Sequence, residues 1–413
     1  MKQGFGLLAG ALALGLFSAS AAELPRGDAG ALGFDKARLA ALDAAISARI
    51  ERGDFPGAIM MIVRDGQIAH LSTMGLRRPG GDPMTEDSIF RIYSMTKPVT
   101  SVVAMMLVEE GRLDLSHPVH AYLPEYKEMK VLTEEGEAPA RRAMTVHDLL
   151  LHTAGLTYGF FGAGPARDAL NAANVENGGF DNREVARVIA GLPLEHHPGE
   201  VWEYSRSTDV LGALIKVVEG KPLGQVMEER VFSPLGMKDT GFWADREDER
   251  ARLAEALAED MGVGPLAMFD PAQPRVFESG GGGLVSTAHD YARFAQMLMN
   301  GGELDGVRLL APATVAYMTA DHLAPRGIKP GKYYLPGGGY GFGLGVAVRA
   351  AAGAPAMGVV GEYNWGGAAG TYYWADPEND MFVLYMMQSP KHRIPLRAQL
   401  RNMVYGALVE TDD

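Results

Sequence analysis

Strand-forming sequence lies at both ends of this chain, and helix-forming sequence fills the middle. Near the start, GAIMMIVRDGQIAHLSTMGL (57–76) holds two β-prone runs around Asp65-Gly66, a dipeptide typical of a two-residue hairpin turn. Near the end, GYGFGLGVAV, GTYYWADP and DMFVLYMMQS are short aromatic and β-branched runs bounded by Gly, Pro and Asn. Between Thr145 and Leu310, the segments TVHDLLLHTAGL, DNREVARVIAGL, STDVLGALIKVVEG and TAHDYARFAQMLMNGG carry caps or closing glycines and read as helices. The packing needs of these pieces predict one sheet built from both termini. Terminal helices, DKARLAALDAAISARIERG and IPLRAQLRNMVYGALVE, would flank it. That is an α+β fold of two lobes. The sheet lobe would take residues 23–110 and 311–413, and a mostly helical lobe 111–310. A site is expected at the seam between them.

The first residues read differently. MKQGFGLLAGALALGLFSASAAELP has a basic start, an apolar run from Phe5 to Phe17 and small residues to Ala22. This predicts a signal peptide over residues 1–22 and a periplasmic or secreted protein. The run is short for a membrane span, and no later segment reaches one, so no membrane association is expected after cleavage. There is no cysteine, which excludes disulfides, thiolate nucleophiles and a lipid-modified cysteine. The net charge of −13 without a basic cluster argues against nucleic acid as a partner.

Ser94 and Lys97 in YSMTKPVT stand three apart at the start of an apolar helical stretch that ends in Gly111, with Pro98 in its first turn. Residues i and i+3 share a helix face, so Lys97 would project beside the Ser94 hydroxyl. A lysine desolvated there has a lowered pKa and accepts a proton, and a helix N-terminus presents N–H groups to an oxyanion. An N-cap serine followed by a surface lysine explains the same spacing. Gly-x-Ser-x-Gly is absent, so the α/β-hydrolase arrangement has no candidate.

Further segments favour the catalytic reading. PGEVWEYSRSTDVLG (198–212) resembles the stretch that holds the catalytic tyrosine of penicillin-binding enzymes. GEYNWGGAAGTYYWADP (361–377) resembles their active-site strand, while LLLHTAGL (149–156) and SGGGGLVSTAHDYARFAQMLMNGG (279–302) resemble other parts of the same proteins. In this order, they identify the chain as similar to the serine β-lactamase and penicillin-binding protein superfamily. Within its class C-like branch, it most resembles the family VIII carboxylesterases. The resemblance implies an antiparallel sheet with flanking helices and a helical lobe. It also implies Ser94 as nucleophile, Lys97 and Tyr204 as base or proton shuttle, and an oxyanion between the backbone N–H groups of Ser94 and Ala368. For the shuttle role, Tyr204 would need a pKa lowered by Lys97. Gly366 and Gly367 would let a substrate approach the backbone.

Departures from the pattern bear on substrate. Where such β-lactamases carry Lys-Thr-Gly, this chain has Trp365-Gly366-Gly367, and Tyr-x-Asn has become Tyr204-Ser205-Arg206. Losing the lysine that pairs with a β-lactam carboxylate favours an esterase, and Trp365 would narrow the cleft to short-chain esters. Arg206 would restore some anion affinity if it pointed inward, but a solvated arginine is the expected state. Tyr158, Phe160 and Phe161, in LTYGFFGAG, would either border the acyl pocket or pack under a loop. A β-lactamase, a D-amino-acid peptidase, a transacylase and a non-catalytic cell-wall-binding relative remain alternatives. No metal or cofactor is expected: His196 and His197 are adjacent on a turn, and His147 and His152 miss helical zinc spacing. Small-molecule esters are the expected partners.

Overall fold

The computed structural model describes residues 23–176, 179–261 and 268–409, so the expected signal peptide lies outside the described residues. Strands β1 (Gly57–Arg64) and β2 (Gln67–Gly75) form the early hairpin. At its turn Asp65 and Gly66 have φ of 52° and 69°, the left-handed pair that a two-residue turn requires. The late strands are β3 (Tyr340–Phe342), β4 (Ala347–Arg349), β5 (Tyr363–Gly366), β6 (Tyr372–Asp376) and β7 (Met381–Met387). All seven join one antiparallel sheet in the order β3-β4-β5-β6-β7-β1-β2. The two ends of the chain meet at β1 and β7, with Ala58 opposite Met387 and Arg64 opposite Met381.

Every residue of β1 is buried, because both faces of the sheet are covered. Ala58, Met60 and Ile62 share one face with Trp374, Val383 and Tyr385. Helices α1 (Lys36–Glu51) and, at the far end of the chain, Arg393–Ala407 cover that face through Leu39, Leu42, Leu400 and Val404. Asp35 caps α1 by accepting from the Ala37 and Arg38 N–H groups at 2.8 and 3.1 Å. Ile59, Met61 and Val63 look the other way, with Tyr373, Leu384 and Met386, into a core shared with the middle of the chain.

That core is built around α2 (Thr96–Glu109), buried on nearly every side, and α3 (Ser207–Glu219), whose residues Ser207 to Ile215 are all buried. Helix α4 (Ala288–Met299) lies within the stretch that sequence assigned to the helical lobe, yet it packs on the sheet. Its Tyr291 ring is 5.3 Å from Tyr373, and its hydroxyl donates to the Met95 carbonyl at 3.0 Å. The last helix, Arg393–Ala407, is α5. Pro98 sits third in α2, where a helix has no N–H partner to lose.

Candidate active site

Ser94 sits in a single 3₁₀ turn, Tyr93–Met95, that runs directly into α2. Tyr93 takes φ of 44°, a conformation that costs a non-glycine residue about 1 kcal/mol or more and recurs at functional turns. Lys97, one helical turn on, is fully buried. Its ammonium donates to Ser94 Oγ at 3.3 Å, to the Tyr158 hydroxyl at 3.2 Å and to the Gly281 carbonyl at 2.6 Å. Burial draws the Lys97 pKa down to about 7; Asp209 opposes that shift and Arg206 adds to it.

Tyr204 closes the arrangement. Its hydroxyl accepts from the Trp365 indole N–H at 3.3 Å and lies near enough to Ser94 to be influenced by it. Lys97 Nζ stands 4.4 Å from the centre of the Tyr204 ring. The lowered pKa expected for Tyr204 is not found. Burial pushes it well up, and Ser94 and Trp365 only temper the rise. The cation that was expected to lower it is itself drawn toward neutrality by the same burial.

A cavity of about 370 Å³ opens over Ser94. Tyr158, Phe160, Phe161, Tyr204, Arg206, Trp365, Gly366, Gly367 and Ala368 line it, so the expected pocket residues converge on one space. Tyr158 stacks on Phe160 at 4.6 Å and also holds Lys97, a contact that its loop position does not reveal. Trp365 does not project across the cleft. Only 6% exposed, it packs against Phe342 at 5.3 Å and Tyr204 at 5.4 Å, with its N–H on the phenol.

The solvated state expected for Arg206 is wrong. Arg206 is buried between Asp209, at 3.1 Å, and Glu176, with its guanidinium 4.9 Å from the Tyr158 ring centre. Asp209 in turn accepts from the Ser279 hydroxyl at 2.6 Å and the Gly281 N–H at 2.9 Å. This chain of contacts places the Gly281 carbonyl on Lys97.

The glycines of the strand also have a packing reason beside the one expected. A Cβ on Gly367 would collide with Thr371 Oγ1 and the Ile92 carbonyl, and one on Gly366 with the Arg397 guanidinium. Close packing adds its own reason for glycine at 367, while both glycines line the cavity. Beside His196 and His197, Glu195 pairs with Arg167 and Glu200 with Arg141 at 2.6 Å, and His196 lies 3.8 Å from Glu203.

The sequence matches the Beta-lactamase family over residues 42–402, nearly the whole described chain. The chain belongs to this family. Among curated proteins it is 33% identical to Esterase EstB of Burkholderia gladioli over 403 residues, covering 92% of this chain and 98% of that one. It is 38% identical to Protein Rv1367c of Mycobacterium tuberculosis over 357 residues, covering 82% and 87%. Among solved structures, EstCE1, described as a hydrolase with promiscuous acyltransferase activity, superposes with a TM-score of 0.76 at 28% identity, covering 90% and 99%. The fold is that of the serine β-lactamases and penicillin-binding proteins, and the chain is a hydrolase of this superfamily with esterase relatives.

Proposed function

We propose that this protein is a serine carboxylesterase that cleaves carboxylic esters through an acyl-enzyme on Ser94; with Trp365 turned onto Tyr204 rather than across the cleft, no limit to short chains is placed on them. The observation that carries the reading is a buried Lys97, its pKa near 7, standing 3.3 Å from Ser94 Oγ beneath a lined cavity. Two of the three Nζ positions face Gly281 and Tyr158, so the neutral amine turns its lone pair to the Ser94 hydroxyl. Ser94 Oγ bonds to the ester carbonyl carbon as its proton passes to Lys97. Charge moves to the carbonyl oxygen, for which the backbone N–H groups of Ser94 and Ala368 are the donors. Collapse breaks the ester C–O bond. Tyr204, kept protonated by its raised pKa, gives its proton to the leaving alkoxide and regains one from Lys97. Water then releases the acid by the same steps in reverse.

Ester hydrolysis is favoured over lactam or D-amino-acid peptide hydrolysis because Trp365 gives Tyr204 a neutral donor where those enzymes carry a lysine. Relatives that bear the name esterase support the same choice. Acyl transfer is the second reading, since an alcohol can replace water at one acyl-enzyme, and EstCE1 is described with both activities. A leader over residues 1–22 would put the enzyme in the periplasm or outside the cell.

The test is hydrolysis of p-nitrophenyl butyrate and of nitrocefin by wild type and Ser94→Ala. Ester turnover that disappears in the variant, with little nitrocefin turnover, is the expected result. Fast nitrocefin turnover would overturn the choice of ester over lactam, and ester turnover that survives in Ser94→Ala would remove Ser94 from the mechanism.

A further inference from the structure

An arginine held in a cavity wall without a carboxylate is costly, because desolvating the cation is not offset by a partner. Helix α5 sets Arg393, Arg397 and Arg401 in one row, four residues apart. Arg401 is balanced by the buried carboxylate of Glu362. Arg393 and Arg397 instead line the cavity over Ser94, and among the described residues neither has a carboxylate within 4 Å.

Their contacts leave the charge unmatched. Arg393 donates to the Pro390 carbonyl at 2.5 Å. Arg397 lies 4.7 Å over the Tyr372 ring, and its Nε is buried without a hydrogen-bond partner. Asp260 acts on Arg393 from a distance, but its oxygens already accept from the Ser389 hydroxyl and the Lys391 N–H. The acid on the cavity wall, Glu176, is held by Arg206. Burial, with repulsion from Arg393 adding to it, pulls the Arg397 pKa down to about 10.

We propose that Arg393 and Arg397 form an anion subsite, and that the esters taken by this protein carry a free carboxylate, as half-esters of dicarboxylic acids do. The proposal rests on the esterase reading above and names its substrate class. Arg397 lies against Gly366, two residues before Ala368 on the same segment. The strand ends at Gly366 and the chain turns after it, so the two residues span at most roughly 7 Å. A carboxylate on Arg397 would therefore sit within about four methylenes of a carbonyl held at Ala368, a reach that an adipic half-ester covers. Arg206, the arginine that sequence singled out for anion affinity, is already neutralised by two carboxylates.

The test compares mono-4-nitrophenyl adipate with 4-nitrophenyl hexanoate, a neutral ester of equal length. Wild type should show kcat/KM at least about tenfold higher for the half-ester, as a charge-assisted contact implies. That ratio should fall toward unity in Arg397→Gln and in Arg393→Gln, and shrink with added salt. Calorimetry on Ser94→Ala, which reads binding without turnover, should find monomethyl adipate bound at least about tenfold tighter than dimethyl adipate.

If wild type hydrolyses the hexanoate as well as the half-ester, and Ser94→Ala binds both adipates alike, the subsite is refuted and the esterase reading stands. If neither ester turns over, the esterase reading fails. Calorimetry then still decides the subsite, since equal binding of the two adipates overturns it. Should one arginine variant not fold, the other carries the comparison.

Discussion

Replacing Asp209 by asparagine removes one charge from the surroundings of Lys97 while keeping the side chain's shape. Lys97 Nζ and Asp209 Oδ1 both bind Gly281, through its carbonyl at 2.6 Å and its N–H at 2.9 Å. The two charges therefore stand roughly 7 Å apart, and at an effective dielectric of about 20 their attraction is about 2.4 kcal/mol. That corresponds to about 1.7 pH units on Lys97. Asparagine still accepts from Gly281 and Ser279, and Arg206 keeps Glu176 as a partner. Part of the Coulomb effect will be recovered by local polarisation, so a fall of at least about one unit is expected. Lys97 acts as base when neutral, so activity is lost as pH falls through about 7 and is retained above it. In Asp209→Asn the acid limb of log kcat/KM for p-nitrophenyl butyrate should move to lower pH by that amount. An unmoved limb in a folded variant would refute the assignment of Lys97 as the titrating base. A limb that moved to higher pH would refute the electrostatic account of its lowered pKa.

The other outcomes follow from single contacts. Tyr204→Phe should lower kcat by about 10²- to 10⁴-fold with little change in KM, measured on the same ester, because it removes the proton donor and leaves the ring packing in place. Trp365→Phe removes the indole N–H from Tyr204 and should cost about 1 kcal/mol, a fall of roughly fivefold in kcat/KM. Gly367→Ala should lose activity and melt earlier, since its Cβ has no room beside Thr371 and the Ile92 carbonyl. Arg401→Met strips the nearer cation from buried Glu362 and leaves Arg349 at 3.6 Å, so urea unfolding should show a loss of about 3 kcal/mol.

What sequence reveals here is what short spacing controls. The Asp65-Gly66 turn, the buried α2 after Ser94 and the approach of Lys97 to Ser94 all follow from residues within a few positions of one another. The convergence of early and late strands followed from packing need alone. What sequence hid depends on distant partners. Tyr158 reaches Lys97 across the α2 N-terminus, and Arg206 is buried because Asp209 and Glu176 close on it. Trp365 was expected to narrow the cleft, but the pleat of β5 turns it into the core and onto Tyr204. Arg393 and Arg397 carried no signal, because an arginine row on a terminal helix looks the same whether it meets solvent or a cavity.

The register that joins residues 57–64 to residues 381–387 has a consequence for how the chain acquires its structure. The β7–β1 pair, one strand in from the β2 edge, is the sheet's most distant pair in sequence, so it forms late and folding is slow by topology. Until the last strands exist, β1 exposes an apolar edge that its helical neighbours cannot cap. A chain emerging from the ribosome carries that open edge through most of its synthesis and depends on chaperones or dilution to avoid pairing with another copy. Truncation before Met381 should therefore yield aggregates rather than a smaller folded protein.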